Sequence, residues 1–209
     1  MSLRIERFIN ELMASNCYLL VDEESAHCIC IDPASEKSER EIEYININRL
    51  TLDYVILTHE HTDHTWGCNA LVDAYPTAQV VCSKACEKNL KKKNRAYFLL
   101  YYDNPDYHFT MCNVNVTTET LGWKLDWFDN HIVFVPSPGH SMGSICVIVN
   151  GILFSGDTIL QTKPYIDKRL GSKELFDESV RRVHSMLSGE TWVYPGHGDK
   201  FLLKEHKCF

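Results

Sequence analysis

Thr58-His59-Glu60-His61-Thr62-Asp63-His64 follows directly on the apolar stretch Tyr54-Val55-Ile56-Leu57. Three imidazoles and Asp63 thus fall within six residues, just beyond what reads as a buried strand. Such a strand gives the following loop a rigid start and presents the cluster at its C-terminal end. Imidazole and carboxylate are ligands that zinc and other borderline metals accept. The spacing is not the His-x-x-x-His of a helix face. In His-x-His on an extended segment, both side chains lie on one side. Asp63 and His64 are adjacent and point in different directions, a geometry that suits two neighbouring metals better than one.

The rest of the composition bounds what can surround this cluster. A chain of 209 residues supports one sizeable core, and no Pro/Gly/Ser-rich linker divides it, so residues 1–209 are expected to form a single domain. A net charge of −7 disfavours nucleic acid as a partner. The one basic run, Lys91-Lys92-Lys93 with Arg95, reads as an exposed helix end or loop. Nine cysteines, an odd number, with no apolar leader argue against a secreted disulfide framework and for a cytoplasmic protein. Cys17, Cys28, Cys30, Cys82 and Cys146 sit among strand-type residues and read as small core hydrophobes. Cys82-x-x-x-Cys86 has no matching second pair for a zinc knuckle. No stretch approaches the ~20 apolar residues that span a bilayer.

Along the chain, strands are expected at Leu3–Ile9, Asn16–Val21, Cys28–Ile31, Tyr54–Thr58 and Gln79–Ser83, and in the second half at Val114–Glu119, Lys124–Phe128, Ile132–Pro136, Ser144–Val149, Ile152–Phe154 and Trp192–Tyr194. Asn150-Gly151 is a two-residue hairpin signal. Helices are expected over Lys37–Ile47, Gly67–Tyr75, Lys84–Lys93 and Lys173–Leu187; in the last, Phe176, Val180, Val183 and Leu187 form one apolar stripe. The aromatic run Tyr97–Tyr102 reads as a helix packed on the core, with a wall of a substrate pocket as the alternative. Both halves look like strand series with helices attached, so two sheets packed face to face with helices outside are expected.

Three more segments repeat the layout of a buried strand followed by a glycine turn with a ligand-type residue: Pro138-Gly139-His140-Ser141, Ser155-Gly156-Asp157-Thr158 and Pro195-Gly196-His197-Gly198. Glycine lets the backbone turn sharply beside the ligand. Four strand ends carrying His or Asp imply one rim where their loops converge. The ordered set His59-x-His61-x-Asp63-His64, His140, Asp157 and His197, with Asp32 upstream, resembles the metallo-β-lactamase fold superfamily over roughly Asn16 to Gly198.

The resemblance implies an α/β (α+β) fold, a four-layer αββα sandwich with two metals at one edge. It assigns His59, His61 and His140 to the first metal, Asp63, His64 and His197 to the second, and Asp157 as the bridge. Asp32 would orient the loop and a ligand imidazole from behind. Two divalent ions, zinc first with iron or manganese as alternatives, would hold a hydroxide that attacks an ester, thioester, amide or phosphodiester. Asp63 and Asp157 are the catalytic carboxylates on this reading.

Within the superfamily, β-lactamases of the best-known class are secreted and place a cysteine at the position of Asp157. Nucleases are longer and basic, and flavodiiron-type relatives replace the second histidine of the motif with an acid. The compact glyoxalase II-like group remains, metallo-hydrolases of hydroxyacylglutathione thioesters; Asn16-Cys17-Tyr18-Leu19-Leu20 and Pro138–Ser144 suit it. The partner is then a small thioester or ester. Two features depart from that group. A dozen residues follow His197, where glyoxalase II has a helical domain that helps hold glutathione, and residues 159–169 lack its glycine-arginine spacing. Lys163, Tyr165, Lys168 or Arg169 are candidates for binding an anionic substrate tail, or belong to a solvated loop. The alternative chemistry is a mononuclear-iron persulfide dioxygenase, and lactonase or phosphodiesterase activity fits the same scaffold. The remaining histidines, His27, His108, His131, His184 and His206, read as surface or core residues.

Overall fold

The computed structural model describes residues 3–92, 106, 109–166 and 171–207. Its strands alternate so that each sheet feeds two cores. In β2 (Asn16–Asp22) every residue is buried. Cys17, Leu19 and Val21 enter the core beneath the helices of the first half, while Tyr18 and Leu20 face the second sheet. The period-2 side-chain geometry of a strand makes this possible only where both faces are covered. β3 (His27–Ile31) does the same, with Cys28 and Cys30 outward and Ile29 and Ile31 inward.

The first sheet has the order β1-β2-β3-β4-β5-β6, with β1 at Leu3–Ile9, β4 at Thr51–Ile56, β5 at Gln79–Cys82 and β6 at Val116–Thr117. β3, β4, β5 and β6 run parallel. Parallel neighbours need crossovers, which carry the helices α1 (Glu39–Ile47), α2 (Thr62–Thr65), α3 (Cys68–Ala74) and α4 (Lys84–Leu90). The second sheet is β12-β11-β10-β9-β8-β7. It comprises β7 (Lys124–Trp127), β8 (Asn130–Pro136), β9 (Ile145–Val149), β10 (Ile152–Gly156), β11 (Trp192–Pro195) and β12 (Phe201–Leu202). Here only β10 and β11 are parallel, and α5 (Lys173–Met186) forms their crossover.

Three cores result. Ile45, Leu71, Cys86 and Leu90 pack helices on the first sheet. Phe134, Val147 and Phe154 meet Leu20, Ile29 and Ile56 between the sheets. Phe176, Val180 and Val183 seat α5 on Val135, Leu153 and Val193. Two mixed sheets flanked by helices, the expected αββα sandwich, is therefore the architecture. The five strand cysteines expected in the core are all buried free thiols, and burial raises the thiols of Cys17, Cys28, Cys30 and Cys146. Asn150 and Gly151 turn with φ of 49° and 83°, the positive pair that a tight hairpin between β9 and β10 requires.

Some boundaries differ. β4 starts at Thr51 and closes at Ile56, pairing Thr51 with His27 and Ile56 with Ile31, and an internal bulge leaves Asp53 bonded to His27 and Trp127. Asp63 and His64 lie on a single helical turn rather than in a loop. The strand at Val114–Glu119 shrinks to two residues, and β12 had no anticipated counterpart. Lys84–Lys93 ends as a helix at Leu90. The expectations for Tyr97–Tyr102, His108, Lys168 and Arg169 lie outside the described residues. Among the described residues, no helix is long and apolar enough to cross a membrane.

Phe134 is one of the largest fully buried side chains and lies in the inter-sheet core, so Phe134→Ala should cost about 3–5 kcal/mol. Chemical denaturation of the two proteins, read as midpoint and slope, measures it.

Candidate metal centre

The four strand ends do converge on one edge of the sandwich. β4 leads through Leu57 to Thr58, and His61 is still extended (φ −69°, ψ 146°) where α2 begins. His59 and His61 therefore point the same way: His59 Nε2 lies 3.1 Å from His61 Nδ1. His140 Nε2 comes within 2.9 Å of the same His61 atom. The helical turn then swings Asp63 and His64 toward a second point. His197 Nε2 is 3.4 Å from Asp63 Oδ2. Asp157 lies between the two groups, with Oδ2 3.5 Å from both His140 and His197 and Oδ1 3.5 Å from His64. His59/His61/His140 and Asp63/His64/His197 each bring their ligand atoms close enough to share an ion. These are the two triads expected from the sequence, with Asp157 between them.

The outward nitrogens of His59, His64 and His140 are held. Asp32 accepts a hydrogen bond from His64 Nδ1 at 2.9 Å and another from Thr58 Oγ1 at 2.6 Å. Because the Thr58 hydroxyl donates to Asp32, a lone pair is left to accept from His59 Nδ1, 3.0 Å away. The Tyr165 carbonyl accepts from His140 Nδ1 at 2.8 Å. With these protons on Nδ1, the Nε2 atoms of His59 and His140, and of His64 once its second proton is displaced, present lone pairs to the interior of the site. This is the arrangement in which outer partners set tautomer and ring orientation for a metal. The residues fit divalent ions on a further count: His64 Nε2 and Asp157 Oδ1 are buried without a hydrogen-bond partner. Such orphaned atoms are costly unless something else meets them.

The electrostatics divide the site in two. Burial, aided by the neighbouring rings, holds His59 well below the usual imidazole range and His61 at about 4. Burial also lowers His140. At the second triad, burial is outweighed by Asp157 and Asp63, which push His64 up to about 9 and His197 to about 10. Burial likewise opposes ionisation of Asp63 and Asp157, but the adjacent imidazoles win and hold both carboxyls below the ordinary range.

Supporting contacts that the motif reading missed come from Ser15 in the first loop of the chain and from the start of β2. Ser15 Oγ donates to the Asp63 carbonyl. Asn16 Nδ2 donates to the carbonyls of Pro195 and Gly198, at 2.9 and 2.8 Å, and Tyr18 Oη donates to Pro195 O at 2.7 Å. Together they clamp the turn that carries His197. Asn16-Cys17-Tyr18 was legible as a family-like segment, but its geometric task was not.

Of the substrate candidates, Tyr165 supplies its backbone to His140 while its side chain is 76% exposed. Lys163, also exposed, lines with Tyr165, Ile166, Ser172 and Lys173 an open cleft. That cleft abuts the site, since a Cβ on Gly171 would stand 2.6 Å from the His140 carbonyl. Arg169 lies outside the described residues. The other described histidines are engaged elsewhere: His27 with Asp53, His131 with Asp126, and His184 with His206.

The family model of the metallo-β-lactamase superfamily matches residues 11–197. The chain belongs to that superfamily of metallo-hydrolases, and its paired His/Asp groups imply divalent metal ions. It is 31% identical over 188 residues to a hydroxyacylglutathione hydrolase of Vibrio campbellii, covering 87% of this chain and 61% of that one. It is 30% identical to a probable polyketide biosynthesis zinc-dependent hydrolase of Bacillus subtilis, PksB, over 87% of this chain and 72% of that one. Among solved structures, the BLEG-1 B3 metallo-β-lactamase superposes with a TM-score of 0.83 at 22% identity, over 97% of this chain and 95% of that one. The chain thus spans about three fifths of the Vibrio enzyme's length.

At pH 7 the second triad of the metal-free protein carries protons on His64 and His197, whereas His61 is neutral. A metal must displace those protons. Loading of the second triad should therefore release about two protons and tighten as pH rises from 7 to 9, while loading of the first should be nearly pH-independent between 6 and 8. Calorimetric titration in buffers of different ionisation enthalpy reads the proton count. Asp32→Ala, which frees His64 Nδ1, should weaken the second site about 10–100-fold, read by chelator competition.

Proposed function

We propose that this protein is a dinuclear metal-dependent hydrolase of thioesters or esters, with a hydroxyacylglutathione-type thioester as the leading substrate class and zinc as the metal. The observation that carries the reading is the meeting of two complete ligand triads around Asp157 at one edge of the sandwich. The Vibrio and Bacillus relatives, named as a hydroxyacylglutathione hydrolase and a zinc-dependent hydrolase, support both substrate class and metal. A cytoplasmic setting accords with eight free cysteines among the described residues.

His59, His61 and His140 would hold one ion, Asp63, His64 and His197 the other, and Asp157 both. When bound, such a pair supplies a hydroxide at neutral pH and polarises the acyl oxygen. The chain's own contribution is orientation and proton handling. Asp63, held ionised by its imidazole neighbours, accepts at Oδ2 and so orients the nucleophile's hydrogen and can take its proton. Thr58 and Asp32 keep the rings from rotating away. The cleft beside His140, with Lys163 and Lys173 on its rim, suits the anionic tail of a glutathione thioester. Overall, acyl–sulfur cleavage by water gives a carboxylic acid and a thiol.

The test joins metal analysis of unsupplemented protein to a panel of thioesters, esters and lactones. About two equivalents of zinc and hydrolysis of S-lactoylglutathione are expected, with Asp63→Ala lowering kcat/KM about 10²–10⁴-fold. Hydrolysis of simple esters without any glutathione thioester would overturn the substrate assignment alone. One equivalent of iron with persulfide-dependent oxygen uptake would replace hydrolysis by dioxygenation.

A further inference from the structure

Between the two first-triad histidines of the motif lies Glu60, a carboxyl with no solvent exposure. His59 and His61 share one side of the extended segment, so the side chain between them must point away from the metals. It enters a cluster of donors. Asn89 Nδ2, on α4, donates to Oε1 at 2.7 Å. Ser141 Oγ, from the residue after His140, donates to Oε2 at 2.9 Å. Ser141 Oγ in turn accepts from Gly143 N at 3.2 Å and contacts Ser144 Oγ at 2.9 Å. Ser83 completes the frame: its hydroxyl caps α4 by accepting from Cys86 N and donates to the Gly143 carbonyl at 2.7 Å.

The packing leaves no room for an alternative. A Cβ on Gly143 would stand 2.3 Å from Glu60 Oε2 and 2.6 Å from Cys86 Cα. The turn after His140 is therefore pressed between Glu60 and α4. A buried carboxylate is expensive, and an apolar residue would fill the same space at lower cost. What the carboxylate adds is a rigid, two-oxygen acceptor that grips two separate segments at once.

We propose that Glu60 is the positioning residue of the first metal triad: it locks the His59–His61 segment to the His140 turn and anchors both on α4. This rests on the reading of His59, His61 and His140 as ligands of one ion. Their nitrogens come from segments 79 residues apart in sequence, and Glu60 is the side chain that bonds one segment to the other directly behind the ligands.

The experiment uses the full chain with the second triad disabled by His197→Ala, so that one equivalent of Co²⁺ reports the first. Affinity comes from chelator competition and ligand geometry from the visible absorption of Co²⁺. Glu60→Ala should weaken Co²⁺ binding about 10–100-fold and change the absorption envelope. Glu60→Gln keeps the shape and one acceptor, and should recover most of both. Asn89→Ala, remote from the metals, should cause a smaller loss of about 3–10-fold. A lowered thermal midpoint for Glu60→Ala with parental affinity and spectrum would reduce Glu60 to a structural role and overturn the proposal. If Glu60→Ala does not fold, parental Co²⁺ binding by both Asn89→Ala and Ser141→Ala overturns it instead. If the otherwise unaltered protein binds two ions and these variants fail as described, only this inference falls; if it binds none, the metal-hydrolase reading falls with it.

Discussion

One carboxylate holds the site in register with the sheet. Asp32 ends β3 in a left-handed conformation, φ 56°, which turns its side chain back across the end of β4. Its Oδ1 accepts from the Thr58 amide at 2.7 Å, and its Oδ2 accepts from the Thr58 hydroxyl and from His64. The backbone on either side is fixed too, through Asp32 N to the Ile56 carbonyl and Asn10 Nδ2 to the Asp32 carbonyl. Thus the same residue stops one strand, caps the next and orients a ligand ring. Asp and Asn tolerate the left-handed region better than most side chains, and only Asp also offers two acceptor oxygens free of a donor.

From that point outward, the site is assembled by strand ends. The parallel pairs β3–β4 and β10–β11, together with β8, place their C-terminal ends at one edge, and the loops leaving them are short enough to bring the candidate ligands within a few ångströms. Convergence has an electrostatic cost. Five imidazoles and two carboxylates share a small buried volume, and the result is a division of charge: neutral rings on one side, cationic rings beside carboxylates on the other. Uncharged groups frame this set: Thr58 accepts from His59, Ser15 donates to the Asp63 carbonyl, Asn16 holds the turn that carries His197, and Ser141 donates to Glu60.

The candidate ligands were legible because metal chemistry restricts both residue type and spacing, and because glycine turns beside His140, Asp157 and His197 mark strand ends. Most strands and α5 were legible from periodicity for the same kind of reason: a doubly covered strand has few residue types to choose from. The errors fall where local pattern carries no information. Asp63 and His64 sit on one helical turn, too short to show a period. The bulge at Asp53 depends on His27 and Trp127, which are distant in sequence. The alternation of His-x-His places the Glu60 side chain opposite the two imidazoles, but its bonds to Asn89 and Ser141 depend on tertiary packing.

What the sequence by itself determined is the set of candidate ligands, their order and the two-sheet architecture, since these follow from side-chain chemistry, alternation and turn residues. What only the tertiary structure decided is how closely the candidate ligands meet, which ring nitrogens face inward, and which distant residues hold them there. Those facts depend on contacts such as Asp32 with His64, Tyr165 with His140 and Glu60 with Ser141 and Asn89. Each joins residues separated by at least 25 positions, and only packing of the two sheets and their helices brings such residues within bonding distance.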